Sequence, residues 1–288
     1  MIPQSRIAPT PSGYLHEGNS YNFLLTWAWI RSQNGKLFLR VDNADKERCK
    51  PEYQESLFLD LDWLGIDWDE GPQSPADLTH FNQSDRKEEY QFYLKELIEF
   101  GHVFPCECSR NELSNGAYPG TCLKKYSVES PFAWRLKSVL PNEIPMLNHR
   151  GKLQMYPAPK MMNHSIIWRK DDVPAYQLVS VVEDLKNGIN TIIRGQDLLS
   201  SSLFQLHLSH YFPENNFREI HFIHHPLLND AEGNKLSKSK GSTALKNLRE
   251  KGENPGELIQ RFCRWMNLGE TANTLPGLLQ LFSSNVAK

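Results

Sequence analysis

Arg6-Ile7-Ala8-Pro9-Thr10-Pro11-Ser12-Gly13-Tyr14-Leu15-His16-Glu17-Gly18-Asn19 is the stretch on which the reading of this chain turns. A turn-rich run stiffened by Pro9 and Pro11 delivers a histidine and a glycine to the mouth of a helix, because Phe23, Leu24, Trp27, Ala28 and Ile30 recur at helical spacing between Asn19 and Gln33. That helix is expected to stop at Asn34-Gly35, a usual exit. A helix start carries unpaired N–H groups and a partial positive charge, so it accepts phosphate. Neither G-x-G-x-x-G nor G-x-x-x-x-G-K-[ST] is present, and the two common nucleotide fingerprints do not apply. Taken alone, the stretch fits an ordinary strand-to-helix turn as well as a phosphate mouth.

Outward from it, Leu37-Phe38-Leu39-Arg40-Val41 reads as a buried strand. Pro51 opens a second helix with Tyr53, Leu57, Leu61 and Leu64 at its apolar positions before Gly65, and a third is expected from Ser84 to Phe100, closed by Gly101. Strand and helix in alternation imply a parallel sheet joined by right-handed crossovers. From Cys106 to about Lys160 the share of Gly, Pro and polar residues rises, which marks an insertion. Regular α/β patterning resumes with Tyr176 to Val182, the strand Asn190 to Arg194 and a helix from about Ser202 to Tyr211. The expected fold class is α/β: a Rossmann-like parallel-sheet domain with an inserted subdomain and a short helical C-terminal part. The expected boundaries are 1–101 and 169–245 for the two halves of the sheet domain, 102–168 for the insert and 246–288 for the helical end.

A chain of 288 residues exceeds what one core usually supports, so more than one packed unit is expected. With 39% hydrophobic and 11% aromatic residues there is enough apolar mass to offset chain entropy, which excludes wholesale disorder. The longest apolar run, Phe23 to Ile30, is broken by Thr26 and falls well short of the ~20 residues a membrane helix needs. No apolar leader follows Met1, so a cytoplasmic protein without a membrane partner is expected, taken to be a monomer. A formal charge of −2 neither supports nor excludes RNA, because a basic face can sit inside a balanced total.

Far downstream, Gly233-Asn234-Lys235-Leu236-Ser237-Lys238-Ser239-Lys240-Gly241-Ser242 interleaves lysines with serines between glycines. Such a loop can neutralise a polyphosphate as charge develops in a transition state; it can equally be a solvated basic loop. Of five cysteines, Cys106, Cys108 and Cys122 cluster while Cys49 and Cys263 stand apart, a pattern that suits thiols better than a disulfide framework. Three thiolates can hold zinc and leave the fourth position open, with His102 a candidate for it. Asp60 to Glu70 has the acidity of a calcium loop, but Leu64 stands where the fifth-position oxygen ligand belongs, which excludes that reading.

The histidine-bearing helix mouth and the Lys-Leu-Ser-Lys-Ser loop together resemble the two signature motifs of class I aminoacyl-tRNA synthetases. Arg6 to His16, then Trp63-Leu64-Gly65-Ile66-Asp67-Trp68-Asp69-Glu70-Gly71-Pro72, then Ile193-Arg194-Gly195-Gln196-Asp197-Leu198-Leu199 narrow the resemblance to glutamyl-tRNA synthetases, in that family's order. The likeness spans residues 6 to about 245. After Gly241 only forty-seven residues remain, so no anticodon-binding domain is expected. The size resembles the family's truncated paralogues, which attach glutamate to queuosine in the tRNA(Asp) anticodon.

The resemblance implies a class I catalytic domain that activates glutamate with ATP, magnesium accompanying the nucleotide, and transfers it to tRNA, tRNA(Asp) first among the candidates. It implies His16 and Lys238, with Lys235 assisting, as catalytic groups on the phosphates, and His16, Gly18, Asn19 and Lys238 as ATP contacts. Arg6 and Arg194 correspond to glutamate-binding arginines, which suits forked pairing of guanidinium with carboxylate; Ala8, Thr10, Asp42 and Tyr176 complete the substrate set. Tyr118 is implied as the fourth zinc ligand beside Cys106, Cys108 and Cys122, in a closed structural site that stiffens the insert.

The chain departs from the family in two places. Asp42 stands where a Glu binds the substrate ammonium, and Asn43 replaces an acid. Glu17-Gly18-Asn19 puts a carboxylate beside the phosphate path, repulsive unless it is paired or turned away. These departures motivate an alternative, a synthetase-like binding or regulatory protein without activity. Charging of tRNA(Glu) and adenylation of a non-RNA acceptor are further alternatives.

Overall fold

The computed structural model describes residues 2–112, 118–125, 129–213, 215–228 and 244–286. Lys235 and Lys238, with the whole Gly233-to-Ser242 loop, lie outside the described residues. The chain runs β1 (Gln4–Ile7), α1 (Glu17–Arg31), β2 (Lys36–Leu39), α2 (Pro51–Leu64), α3 (Leu78–Phe81) and α4 (Lys87–Glu99). It continues through β3 (Val103–Cys106), β4 (Ala133–Leu136), β5 (Glu143–Asn148), β6 (Leu153–Pro157), β7 (Ile166–Trp168) and α5 (Tyr176–Lys186). β8 (Thr191–Gly195), α6 (Leu199–Ser209), β9 (His221–His225), α7 (Leu245–Glu250), α8 (Pro255–Trp265) and α9 (Leu275–Val286) follow.

These elements fall into two compact units, one built from Met1–Gln83, Thr191–Gln196 and Ile223–Lys288, the other from Ser84–Asn190 and Asp197–Phe222. In the first, β1 and β2 pair in parallel with Arg6 opposite Phe38 and Ile7 opposite Leu39, as a strand–helix–strand crossover requires. α1 begins two residues before the expected Asn19 and ends before Gln33. Its buried residues lie on all sides, Tyr21, Phe23, Leu24, Leu25, Trp27 and Ile30 among them, because β1 and β8 pack on it together with α8 and α9. Phe262 of α8 and Leu278 of α9 are fully buried in this same core, so the C-terminal helices are part of it rather than an appendage. Truncating Phe262 to Ala is worth on the order of 3–5 kcal/mol.

Gly71 closes the chain back onto β2. Leu39 N–H donates to Glu70 O at 2.9 Å and Asp69 N–H to Leu37 O at 2.8 Å, so the backbone passes so close that a Cβ on Gly71 would stand 2.1 Å from Leu39 O. Its φ of +105° adds a second reason why only glycine fits.

The second unit holds the insert. β3, β4 and β7 form an antiparallel sheet, and β5 and β6 an antiparallel hairpin. The start of β9 joins β5 in parallel, His221 opposite Leu147. The expected parallel pairing thus describes β1 with β2 and β5 with β9, whereas the strands of the insert pair antiparallel. α5 packs on both α4 and α6 in this unit, and its buried Glu183 ties it to α4 by accepting the Tyr90 hydroxyl at 2.6 Å and Arg86 Nη2 at 2.7 Å. That packing draws the unit's limits wider than the insert expected at 102–168 from the compositional shift between Cys106 and about Lys160. No helix among the described residues is long and apolar enough to cross a membrane.

Candidate active site

His16 is the N-cap of α1. Its extended backbone (φ −124°, ψ 171°) lets Nδ1 accept the Gly18 N–H at 3.1 Å, while its own N–H donates to Asn19 Oδ1 at 3.0 Å. This is a reciprocal capping box made from His and Asn instead of Ser and Glu. With Nδ1 accepting, the neutral ring carries its proton on Nε2. The predicted residues His16, Gly18 and Asn19 are therefore brought together, with the Asn19 side chain occupied in holding the cap.

Glu17, expected to repel phosphate unless paired, is paired. Its Oε1 accepts the Tyr21 hydroxyl at 2.8 Å and Arg261 Nε at 2.8 Å. Burial and the neighbouring Glu17 push the Tyr21 hydroxyl well above the usual phenol range. Arg261 was not among the predicted residues, and nothing local marks it, since its partner lies 244 residues away.

Beside this mouth, β1, β2 and β8 present their charged residues. Arg6 on β1 and Arg194 on β8 are buried, 5% and 3% exposed, and the two strands pack against each other. Asp42 follows β2, its N–H bonded to Pro9 O at 2.9 Å. Arg40 grips its carboxylate with Nε on Oδ1 at 2.7 Å and Nη2 on Oδ2 at 3.2 Å, and Gln83 Nε2 donates to Oδ1 at 2.9 Å. Burial pushes the Asp42 carboxyl up, with Arg40, Gln83 and the charge of Arg6 pulling the other way. Asn43 accepts the Gln83 N–H at 2.9 Å and donates to Asn82 at 2.7 Å, which fixes the Gln83 segment. Arg40 and Gln83 were not anticipated; the alternation of an extended segment, which puts Arg40 and Asp42 on one face, was the available signal. Ala8 is partly buried and Thr10 exposed in the loop after β1, the Thr10 carbonyl accepting the Ser12 N–H. Tyr176 opens α5 in the other unit, 43% exposed.

The chain returns to the described part at this mouth. Ala244 bridges His16, Leu245 N–H donates to Leu15 O at 2.8 Å, and Lys246 Nζ sits 4.6 Å over the Tyr14 ring. α7 is then held to α2 by Arg249 and Asp60 at 3.2 Å.

In the second unit, the Sγ atoms of Cys106, Cys108 and Cys122 lie within 4.8 Å of one another, all buried. Cys108 and Cys122 are 3.6 Å apart, too far for a disulfide and close to the ~3.7 Å that two thiolates spanning a tetrahedral zinc adopt. The Tyr118 hydroxyl accepts the Cys122 N–H at 2.7 Å and also lies against the Cys106 and Cys122 thiols. Burial pushes the Cys108 thiol up to about 12, whereas at Cys122 hydrogen bonds outweigh burial and hold the thiol low. Three sulfurs and one phenol oxygen converging in a buried pocket fit zinc; His102 is not part of the cluster.

Residues 4–130 and 121–276 match the family described as tRNA synthetases class I (E and Q), catalytic domain. The chain belongs to that family. Within this class I (E and Q) group, the glutamyl-Q tRNA(Asp) synthetase of Nitratidesulfovibrio vulgaris is 35% identical over 271 residues, covering 86% of this chain and 82% of that protein. Glutamate–tRNA ligase 2 of Syntrophus aciditrophicus is 32% identical over 279 residues, covering 89% of this chain and 56% of that protein. The chain thus spans about half the length of the glutamate–tRNA ligases it matches. A glutamate tRNA ligase from Elizabethkingia meningosepticum, solved with its amino acid, shares the fold with a TM-score of 0.74 at 19% identity, over 98% of this chain and 66% of that one. The α/β class and the parallel sheet are those of the class I synthetase catalytic domain.

Proposed function

We propose that this chain activates glutamate with ATP and transfers the glutamyl group to tRNA, with the queuosine of tRNA(Asp) as acceptor. The observation that carries the reading is the placing of two buried guanidiniums, Arg6 and Arg194, on adjacent strands of the unit whose first helix is capped by His16. Two buried forks suit an amino acid with two carboxylates, and a histidine-capped helix start suits a triphosphate. The choice of acceptor draws its support from the relatives named for that tRNA.

A glutamate carboxylate oxygen attacks the α-phosphorus of ATP, and pyrophosphate leaves. An RNA hydroxyl then attacks the acyl carbon, and AMP leaves. No covalent enzyme intermediate is needed; holding the reactants in line supplies roughly 7–11 kcal/mol. His16 donates from Nε2 to the phosphates, and Lys238 and Lys235 add charge there. The nucleotide arrives as its magnesium complex. Cys106, Cys108, Tyr118 and Cys122 would hold zinc, which supplies rigidity to the insert and takes no part in the chemistry.

The grip of Arg40 on Asp42 favours a second reading, a synthetase-like binding protein whose ammonium site is closed. Glutamate-dependent exchange of pyrophosphate into ATP separates the two, and transfer of labelled glutamate to total tRNA with and without queuosine identifies the acceptor. Exchange absent with and without tRNA sinks activation; transfer indifferent to queuosine sinks the acceptor.

A further inference from the structure

Glu17 is the first residue of α1 and directly follows His16, whose Nε2 is the donor proposed above for the triphosphate. A carboxylate there suits the helix dipole but opposes an anionic ligand. Its surroundings resolve the conflict. Both donors reach the same oxygen, Oε1, and one of them, Tyr21, lies one turn further along the same flank of the helix. The carboxylate is thereby folded back along the first turn. Arg261 arrives from α8, whose neighbouring rings Phe262 and Trp265 hold Tyr21 at centroid distances of 5.5 and 5.2 Å. The two charged side chains are 35% and 26% exposed, a partly buried pair in which geometry is fixed by packing on both sides.

We propose that Arg261, supplied by the C-terminal helix α8, is a positioning residue for ATP: by neutralising Glu17 and holding its carboxylate against Tyr21, it keeps the His16–Gly18–Asn19 mouth attractive to the triphosphate. The proposal rests on the ATP reading given above and adds to it a dependence on a helix 244 residues away in the chain. Without Arg261 an uncompensated carboxylate stands next in sequence to His16, at the helix start proposed to meet the phosphates. At an effective dielectric between water and protein interior, that repulsion weakens ATP on the order of tenfold.

The test is calorimetric binding of magnesium–ATP to the full chain, with folding followed by circular dichroism. Arg261→Gln weakens ATP on the order of tenfold, most at low salt. Adding Glu17→Gln to it restores most of the affinity, and Arg261→Lys keeps most of it. Glu17→Gln alone leaves an uncompensated cation and tightens ATP, an outcome of opposite sign that stays readable even where Arg261→Gln does not fold. In pyrophosphate exchange the loss in Arg261→Gln falls on KM for ATP rather than on kcat. Wild-type affinity in Arg261→Gln, a double variant as weak as the single one, or weaker binding by Glu17→Gln overturns the proposal and leaves glutamate activation standing. A wild-type chain that binds no ATP overturns the ATP reading itself, and the proposal with it.

Discussion

The imidazole of His16 rests on the backbone of Gly18, its Nδ1 3.1 Å from the Gly18 nitrogen, so that a Cβ added at Gly18 would stand 3.0 Å from His16 Cε1. The glycine is needed for this approach and not for its backbone freedom, since it lies in the first turn of α1. Alanine there stabilises the helix by about 0.5–1 kcal/mol but makes the His16 ring give way and loosens its bond to the Gly18 N–H. Gly18→Ala is expected to leave the Tm unchanged or slightly raised while glutamate-dependent pyrophosphate exchange falls by on the order of tenfold or more. Unimpaired exchange contradicts the placing of His16 against the phosphates.

Asp60 gives a stability prediction with a defined pH window. It is fully buried between Arg249 Nε at 3.2 Å and Ser56 Oγ at 3.4 Å, and burial pushes its carboxyl up to about 6 against the pull of Arg249. A folded value above the unfolded ~3.9 means that the native state binds the proton more tightly. Stability from this group is therefore greatest at low pH and is lost as the pH rises through about 6, by on the order of 2–3 kcal/mol. Asp60→Asn removes that loss. Urea unfolding should show the variant gaining on the wild type between about pH 4 and about pH 7; a difference that does not change with pH refutes the assignment.

Helix α2 shows what was legible in the sequence. Pro51 at its first turn and Gly65 at its exit, in the left-handed region with φ 74°, fix its ends by covalent geometry alone. α1 was less transparent, because a helix packed on all sides has no polar stripe from which to read its covering partners, and α8 and α9 went unassigned to it. The cap of His16 was readable from neighbours in sequence. The pairing of Glu17 with Arg261 was not, since an ion pair closed across 244 residues leaves no periodic trace. The reach of Arg40 across to Asp42 lay between these extremes, two residues apart yet dependent on Gln83 to complete the grip.

The cysteine cluster predicts a bound metal. Its sulfurs lie within 4.8 Å of one another, Cys108 and Cys122 at a zinc-spanning 3.6 Å, and Arg135 lies 4.2 Å over the Tyr118 ring, which fixes that ring against the cluster. The purified chain is expected to carry about one zinc per molecule, and a chelator should lower its Tm, because binding energy at a structural site is folding energy. Cys122→Ser should lose the metal, and Tyr118→Phe should retain it more weakly. Full zinc content in Cys122→Ser rules out the site.

Asp42 tests the amino-acid pocket. Its carboxylate holds two nitrogens of Arg40 and one of Gln83, so it neutralises a buried guanidinium whatever else it binds. Removing the charge has two separable consequences. Asp42→Asn deprives Arg40 of its anion in a buried setting, a loss of about 3–5 kcal/mol in unfolding free energy. If Asp42 also receives the substrate ammonium, the same change raises KM for glutamate on the order of tenfold or more and leaves KM for ATP nearly constant. Asp42→Glu lengthens the side chain by one methylene past the Gln83 amide, and glutamate KM should fall. A variant that loses stability while glutamate KM stays at the wild-type value would place Asp42 in the framework of the pocket, with the ammonium received elsewhere.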